Sequence, residues 1–448
     1  MSGSISQFSL SSGRGDGSSD PQAGNLKTIA ALIAQPVLEL GLHSRLLHLQ
    51  KAFHQSRCKH HLGKHSLSMM PICASLKIRM WLMKNCSAFL IKLVQRLLWD
   101  NSQSTDRKQL RSAISILSRS HPDNNMLPDC VATLSEHNQF CSISSVAFHP
   151  TAPILATSSE DCTENTVKLW RLSSDNSAAT CVAILTGHGK WSYVTSVAFH
   201  PNLPLLATSS KDGTVKLWRL SSDNSAATCV ATLMVQSETR SVAFHPTLPL
   251  MATGSSDKTA KLWQLSSDHH SATCVATLSG HNDWVCSVAF HLTLPILATG
   301  SHDNTAKVWQ LSSDHHSATC VATLIGHSDL VNSVAFHPTK PILATAGSFD
   351  RTTKLWRLSP DSPAATCVAT LKGHTGWVNS VAFHPNTPLL ATGSRDGTTK
   401  LWRLNSDDSG ASCVATLAES VGVCSIAFHP TKPILATGSN NGNVKLWC

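Results

Sequence analysis

The last two-thirds of the chain repeats one short pattern of apolar and polar positions. Within residues 285–324 the pattern consists of VCSVAFH, ILATGS, TAKVWQL and CVATL, four short runs that are rich in β-branched residues. Segments with turn-forming residues separate these runs, namely LTLP, HDN and SSDHHS. Short runs of this kind, punctuated by turns, predict an antiparallel meander of four strands.

The pattern occurs seven times, and a tryptophan stands near the end of the third run in each copy. These tryptophans are spaced by 45 to 48 residues and lie at Trp170, Trp218, Trp263, Trp309, Trp356, Trp402 and Trp447. One four-stranded meander cannot bury both of its faces alone, so the copies must stack on one another. An open stack would leave two exposed ends, whereas a closed ring leaves none.

The two ends of the repeat region indicate such a closed ring. The run CVATL first occurs at 130–134, before any complete copy, and the sequence stops at Cys448, directly after the third run of the last copy. The last copy therefore lacks a fourth strand, while a spare one precedes the first copy. Pairing 130–134 with 443–447 completes seven four-stranded sheets, and we predict that backbone hydrogen bonds close the ring noncovalently.

The seven copies resemble the WD40-repeat family of β-propellers over residues 130–448. The family pattern has a Gly-His pair before the first strand and Trp-Asp at the end of the third. In this chain the tryptophan is followed by Arg, Gln or Cys, and Gly-His occurs at Gly187-His188, Gly280-His281, Gly326-His327 and Gly373-His374. The resemblance implies an all-β fold, a seven-bladed WD40 β-propeller closed by an N-terminal strand.

The resemblance also implies a hydrogen-bonded set of His, Thr, Asp and Trp inside most blades. Because the sets repeat, we interpret them as structural braces and not as catalytic triads. The third and seventh copies lack the histidine, and we expect them to be looser there. The four matching sets are His188–Thr208–Asp212–Trp218, His281–Thr299–Asp303–Trp309, His327–Thr345–Asp350–Trp356 and His374–Thr392–Asp396–Trp402, and His137–Thr157–Asp161–Trp170 is a fifth candidate.

Two positions vary among the otherwise similar copies, on the face where partners of WD40 proteins commonly dock. The position before the first strand holds Ser142, Tyr193, Glu238, Trp284, Leu330, Trp377 and Gly422. The position before the turn aspartate holds Glu160, Lys211, Ser256, His302, Phe349, Arg395 and Asn440. Since exposed aromatic residues and arginine dominate interface energies, our candidate partner-binding residues are Tyr193, Trp284, His302, Leu330, Phe349, Trp377 and Arg395. The alternative is that Trp284 and Trp377 fill gaps between blades.

The net charge of +9 lies in the first 129 residues, which contain 16 Lys and Arg against 7 Asp and Glu. We predict a disordered Ser/Gly-rich tail over residues 1–25 and a basic, mostly helical region over residues 26–129. This charge leaves contact with nucleic acid open, although no nucleic-acid-binding motif accompanies it. We expect a basic exposed helix, and no metal site, in the segment that contains His54, Cys58, His61 and His65.

Cysteine usage and hydropathy indicate the compartment. No apolar run of about 18 residues lacks charged residues, so we predict no membrane span. Equivalent positions of a ring lie too far apart for disulfides. We therefore predict free thiols, packed as small apolar side chains, in a reducing intracellular compartment, cytoplasmic or nuclear. Seven of the 15 cysteines occupy one repeated position, at Cys130, Cys181, Cys229, Cys274, Cys320, Cys367 and Cys413.

These features favour a noncatalytic protein–protein interaction scaffold or adaptor without cofactor or metal. The sequence contains no unique nucleophile, metal cluster or phosphate-binding loop. One alternative is a substrate receptor of a ubiquitin-ligase complex, but Arg-Leu-Ser or Gln-Leu-Ser follows most of the tryptophans, where some WD40 receptors have Asp-x-Arg. Another alternative is a nucleic-acid- or chromatin-associated protein that acts through the basic N-terminal region.

Overall fold

A computed structural model of the chain describes residues 128–448, except for residues 136, 138–140, 161–164, 190–191 and 360–364. The predicted tail over residues 1–25 lies outside the described residues. So does the predicted helical region over residues 26–129, apart from its last two residues, and with it the segment from His54 to His65. None of the described residues forms a helix that is long and apolar enough to cross a membrane.

The described residues form seven four-stranded antiparallel sheets, which confirms the predicted seven-bladed propeller. The first strands of blades 1 to 7 are β2 (Ile143–Phe148), β6 (Val194–Phe199), β10 (Thr239–Phe244), β14 (Val285–Phe290), β18 (Val331–Phe336), β22 (Val378–Phe383) and β26 (Val423–Phe428). The second strands are β3 (Ile154–Ser159), β7 (Leu205–Ser210), β11 (Leu250–Ser255), β15 (Ile296–Ser301), β19 (Ile342–Gly347), β23 (Leu389–Ser394) and β27 (Leu435–Ser439).

The outer half of each sheet is built from a third and a fourth strand. The third strands are β4 (Val167–Leu172), β8 (Thr214–Leu220), β12 (Ala260–Leu265), β16 (Thr305–Leu311), β20 (Thr353–Leu358), β24 (Thr398–Leu404) and β28 (Val444–Trp447). The fourth strands are β5 (Ala179–Leu185), β9 (Ala227–Met234), β13 (Ala272–Leu278), β17 (Ala318–Ile325), β21 (Ala365–Leu371), β25 (Ala411–Ala418) and, in blade 7, β1 (Cys130–Leu134).

The first strands stand side by side around the centre of the propeller. Each contacts the first strand of the blade on either side, and β26 contacts β2, so the ring is closed. A β-bulge interrupts the pairing of each first strand with the second strand. In blade 4, for example, Val285 pairs with Ser301 and Ser287 with Gly300, so Cys286 is left unpaired. Such a bulge bends the strand and redirects the side chain of the extra residue.

Serine side chains join neighbouring blades next to these bulges. The backbone N–H of Val288 in blade 4 donates to Oγ of Ser241 in blade 3, at 3.2 Å. Across the closure, the N–H of Val146 in blade 1 donates to Oγ of Ser425 in blade 7, at 3.1 Å. The described residues make the same bond at four further boundaries. The first strand is an edge strand of its sheet, and a buried N–H on its unpaired side thus finds a partner in the adjacent blade.

The apolar core consists of layers between neighbouring blades. Between blades 1 and 2, Ile154 and Leu169 of blade 1 pack with Val197, Leu206 and Trp218 of blade 2. The layers repeat around the ring because the same apolar positions recur in every copy. Complete burial of one such side chain contributes about 1.5–3 kcal/mol, so each blade depends on both of its neighbours.

The strand β1 closes the ring, as the sequence predicted. It pairs antiparallel with β28, and Leu134 stands opposite Val444. Asp129 and Cys448 extend this ladder by exchanging two backbone hydrogen bonds, of 3.1 and 3.0 Å. Leu134 is buried in the layer between blades 7 and 1. Closure therefore combines a backbone ladder with burial of an apolar side chain.

The repeated cysteines lie on the fourth strands, and the prediction that they are packed is wrong. Six of them are exposed and Cys181 is half-buried, although none of the seven is joined in a disulfide. The physical reason is their place in the sheet. A fourth strand is the peripheral strand of its blade. Some of its side chains therefore have no neighbouring strand or blade to pack against.

A ring of histidines, which the sequence analysis did not anticipate, lies beyond the carboxyl ends of the first strands. Nδ1 of each accepts hydrogen bonds from two backbone N–H groups of the next turn; those of Thr293 and Leu294 lie 3.1 and 3.0 Å from Nδ1 of His291. Each ring also lies 4.9 to 5.1 Å from a phenylalanine of the next blade. The pairs are His149–Phe199, His200–Phe244, His245–Phe290, His291–Phe336, His337–Phe383, His384–Phe428 and His429–Phe148.

Burial lowers the pKa of all seven of these histidines. The pKa falls to about 4 for His200, His245 and His429, where burial is the largest cause and a nearby histidine or lysine lowers it further. An imidazole that accepts hydrogen bonds at Nδ1 must be unprotonated there. The ring of histidines is therefore neutral in the folded protein at neutral pH.

We expect removal of residues 130–134 from the full chain to destabilise the whole propeller. The third strand of blade 7 would become an unpaired edge, and loss of a buried leucine side chain alone costs about 2–5 kcal/mol. Thermal unfolding followed by circular dichroism measures the effect. Deletion of residues 120–124 is the length-matched control and should leave the melting temperature unchanged. Equal melting temperatures for both deletions would contradict closure by β1.

Acidification is expected to weaken the propeller between about pH 6.5, the ordinary pKa of histidine, and about pH 4, the folded pKa of His200, His245 and His429. As pH falls through this window, the unfolded chain binds protons that the folded chain does not, so the free energy of unfolding decreases. The pKa of Asp303 is lowered to about 2, so its contribution is lost only at lower pH. Urea midpoints measured against pH test this; a constant midpoint from about pH 7 to about pH 4.5 would disprove it.

Candidate functional site

A cavity of about 450 Å³ opens at the centre of the ring, and residues from all seven blades line it. Its lining is mostly polar and charged, and so differs from the predominantly apolar lining of typical small-molecule pockets. The lining residues are Ser142, Ser144, Glu160, Thr195, Lys211, Arg240, Cys286, His302, Asn332, Trp377, Asn379, Arg395, Gly422, Cys424 and Asn440.

The two variable positions selected from the sequence are neighbours in six of the seven blades. In blade 6 the backbone N–H of Arg395 donates to the carbonyl oxygen of Trp377, at 2.8 Å, and in blade 4 that of His302 donates to Trp284, at 2.9 Å. The same bond occurs in blades 1, 2, 3 and 7. Local backbone pairing, which does not depend on the side chain, therefore brings both positions together.

Blade 5 departs from this arrangement. The N–H of Ser348 donates to the carbonyl oxygen of Leu330 at 2.8 Å, so Ser348 and not Phe349 occupies the second position. Phe349 is an additional residue before the turn aspartate, and its exposed fraction is 51%. Leu330 is half-buried, and its N–H donates to Oδ1 of Asp329 at 2.7 Å. The insertion carries an aromatic ring out to the surface.

A third variable position, at the bulge of each first strand, contributes all of the remaining lining. It was missed because strict alternation along a strand does not reveal a bulge. The available signal was variation among the copies, since the flanking Ser-Val-Ala-Phe or Ser-Ile-Ala-Phe is otherwise repeated. The seven residues at this position all line the cavity, namely Ser144, Thr195, Arg240, Cys286, Asn332, Asn379 and Cys424.

Arg240 and Trp284 form a stacked pair at the cavity between blades 3 and 4. The guanidinium carbon lies 4.1 Å from the centre of the indole ring. His302 lies 5.2 Å from the same indole, between ring centres, and Nη2 of Arg240 donates to Glu238 at 3.0 Å. Trp284 nevertheless retains an exposed fraction of 38%. Burial and the charge of Arg240 lower the pKa of His302, so its imidazole is neutral at neutral pH.

Two more cation–aromatic pairs stand on blades 2 and 6. Nζ of Lys211 lies 4.5 Å from the centre of the Tyr193 ring, and the guanidinium carbon of Arg395 lies 4.5 Å from Trp377. Phe349 packs beside Trp377 with 4.2 Å between ring centres. The structure thus brings Phe349, Trp377 and Arg395 into one cluster and places Tyr193 in a separate pair with Lys211.

The cavity thiols are poorly suited to nucleophilic chemistry. Burial raises the pKa of Cys286 to about 12 and that of Cys424 to about 11. A thiol must ionise to act as a nucleophile or a metal ligand, so both remain protonated near neutral pH. The described residues also contain no group of three or more His, Cys, Asp or Glu arranged to hold a metal ion.

Inside the blades, the structure brings together the predicted His, Thr, Asp and Trp sets. In blade 4, Nε2 of His281 lies 2.7 Å from Oγ1 of Thr299, and the indole N–H of Trp309 donates to the same oxygen at 2.9 Å. Nδ1 of His281 lies 2.8 Å from the carboxylate of Asp303. Because a carboxylate only accepts, Nδ1 carries the proton. The same contacts occur in the sets of His188, His327 and His374.

The remaining blades vary this arrangement. In blade 1, His137 and Trp170 bond to Thr157, whereas Asp161 lies outside the described residues. In blade 7 the histidine is replaced by Glu419, whose carboxylate accepts a hydrogen bond from the hydroxyl of Thr437 and lies 3.0 Å from Nζ of Lys445.

Blade 3 has the buried Val235 in the corresponding loop. Within the described part of the chain, the hydroxyl of Thr253 therefore has the indole N–H of Trp263, at 3.0 Å, as its only side-chain partner. In blade 7, by contrast, Glu419 forms an alternative brace with Thr437 and Lys445. The sequence analysis did not assign this role to Glu419, although the residue is part of the segment AESVGV.

We expect Thr299→Val to cost roughly 1–3 kcal/mol of stability, because buried groups of both His281 and Trp309 lose their partner. The matched control is Thr253→Val in blade 3, where only Trp263 loses a partner, so its cost should be nearer the lower limit. Urea denaturation of both variants measures the difference. Equal losses would show that the histidine adds nothing to the brace.

Comparison with known proteins assigns the family. No curated protein matches the sequence significantly. The family described as WD domain, G-beta repeat matches seven segments, at residues 128–171, 179–219, 227–264, 272–310, 318–357, 365–403 and 411–448. Each segment contains the first strand, the second strand and most or all of the third strand of one blade. With seven matched repeats and seven blades closed into one ring, the chain belongs to the WD40-repeat family.

Proposed function

We propose that the protein is a noncatalytic scaffold or adaptor that binds a partner protein at the mouth of the central cavity. One observation carries the proposal. The seven copies are similar in their strands and braces, yet three positions in each copy differ, and residues from all three line one cavity. The residues that differ among the copies therefore lie around one cavity, and this common location supports the recognition of a partner at the cavity.

The residue types at the mouth support protein binding. Phe349, Trp284 and Arg395 are exposed, and aromatic residues and arginine supply most hot spots of protein interfaces. A cavity of about 450 Å³ is large enough for one or two side chains of a partner but too small for a folded domain. We infer that a protruding loop or peptide segment enters it while the rest of the partner rests on the rim.

The chemistry of the described residues supports a scaffold rather than an enzyme. The His, Thr and Asp sets recur in several blades and are engaged in buried bonds with tryptophan, as a structural brace requires. The cavity thiols are protonated near neutral pH. The free cysteines of the described residues are compatible with work in a reducing compartment. The basic segment on which nucleic-acid contact would depend lies outside the described residues.

We expect Phe349→Ala combined with Trp377→Ala to reduce partner capture at least about tenfold, since interface hot spots typically contribute 2 kcal/mol or more. The measurement is quantitative mass spectrometry of proteins captured from nuclease-treated cell extract by the full chain and by the variant. The matched control is Ile325→Ala combined with Met234→Ala. These residues have exposed fractions of 77% and 64%, but they lie at the ends of fourth strands.

The result is informative only with melting temperatures measured in parallel. The proposal holds if the first pair of substitutions loses partners, the control pair keeps them, and the melting temperature changes little. A large drop in melting temperature for the first pair would instead support the reading that Trp377 fills a gap between blades. Identical capture by both variants would exclude this mouth as the binding surface.

A further inference from the structure

We propose that the segment entering the cavity is acidic and pairs carboxylate side chains with Lys211 and Arg395. The inference rests on the proposed function and adds the chemistry of the partner. Among the lining residues, Lys211, Arg240 and Arg395 are cationic, and Glu160 is the one carboxylate. His302 is neutral at neutral pH. The described lining therefore has an excess of positive charge within a small volume, where water screens it less than at an open surface.

Besides Glu160 in the lining, three further carboxylates near the mouth are engaged in local bonds. Glu238 accepts from Nη2 of Arg240 at 3.0 Å and offsets part of its charge. Oδ1 of Asp283 accepts the backbone N–H of Trp284 at 2.8 Å, and Asp329 caps Leu330 in the same way, at 2.7 Å. These local bonds hold the loops before the first strands in place. None of these three carboxylates forms an ion pair with Lys211 or Arg395 in the part of the chain that the structure describes.

Two of the three cations have no acidic partner among the described residues. Lys211 and Arg395 contact aromatic rings, and the ion pairs of the described chain include neither of them. Arg240 has its pair with Glu238, yet its Nε is buried without a hydrogen-bond acceptor. A buried donor of a charged group is costly to leave unpaired. A carboxylate from a partner would supply the ion-pair partner that Lys211 and Arg395 lack, whereas the buried Nε of Arg240 has no surface that a ligand in the cavity could reach.

The stacking also argues against a basic or methylated-lysine ligand. A cage for such a cation needs free aromatic faces. Here a cation already lies over each of the rings of Tyr193, Trp284 and Trp377, so an incoming cation would meet like charges. Stacking on a ring also holds a guanidinium group in place, so that its N–H fork is preorganised for a carboxylate.

The surroundings of Arg395 suggest what accompanies the carboxylate. Phe349 is exposed and packs against Trp377, which itself carries Arg395. An apolar surface and a cation are therefore adjacent on blades 5 and 6. The segment that fits is one in which an aspartate or glutamate has an apolar residue as a close neighbour.

A random peptide library displayed on phage and selected on the full chain tests the inference. We expect enrichment of peptides with Asp or Glu next to an apolar residue. The best peptide, made synthetically, is then measured by fluorescence anisotropy against the protein and its variants. Lys211→Gln with Arg395→Gln should weaken binding at least about tenfold. Replacing the acidic residue of the peptide by its amide should have the same effect.

The control variant has the same change of charge elsewhere. Lys372→Gln with Arg403→Gln alters two exposed cations that do not line the cavity and should leave the peptide affinity unchanged. Enriched peptides that are neutral or basic, and that lose binding with Phe349→Ala and Trp377→Ala, would overturn the acidic partner while the binding surface stands. A peptide that binds only when phosphorylated would also overturn it. If no peptide responds to either set of substitutions, the proposed function fails too.

Discussion

The pairing of β1 with β28 is the contact on which the rest of the molecule depends. Each blade buries its two faces against its neighbours, so no blade is complete until the ring is complete. The layer between blades 7 and 1 contains Leu134 and Ile143, which come from the first two strands of the described chain, together with Val444 from its last strand. Backbone hydrogen bonds and apolar burial at this one boundary therefore secure all the others.

The number of blades, the strand order and the closure could be predicted because they follow from counting. A sequence pattern that recurs every 45 to 48 residues defines the repeat. The additional CVATL at 130–134, before the first complete copy, indicates where the two ends of the ring pair. Such inferences need only the periodicity and the rule that sheet edges must be paired. The aromatic and arginine candidates were found in a similar way, from the positions at which the copies differ.

What the sequence did not reveal depends on geometry in three dimensions. Cys286 is directed to the cavity by a bulge, which strict alternation does not signal. Phe349 was aligned with the second variable position, although an insertion moves it outward and Ser348 takes its place. The repeated cysteines were expected to pack because cysteine usually does, but the peripheral strand has no outer layer. Contacts such as His291 with Phe336 join residues of different blades, so no local pattern shows them.

The sequence CVATL, the fourth strand-forming run of the copies, has a consequence for how the ring assembles, because β1 and five of the six internal fourth strands contain it without any difference. The ladder partners of these strands are also much alike, so side-chain chemistry gives β1 little preference for β28 over another third strand. The third strands of blades 1 to 6 differ from β28 in being tethered to a partner. A short turn joins each of them to its own fourth strand, which is therefore present at a high local concentration and pairs with it first. The pairing of β1 with β28 thus depends on chain connectivity more than on specific side-chain recognition, because the other third strands are already paired with their own fourth strands. If those strands paired late, β1 could pair with the wrong blade, and the product would be a domain-swapped or mispaired ring.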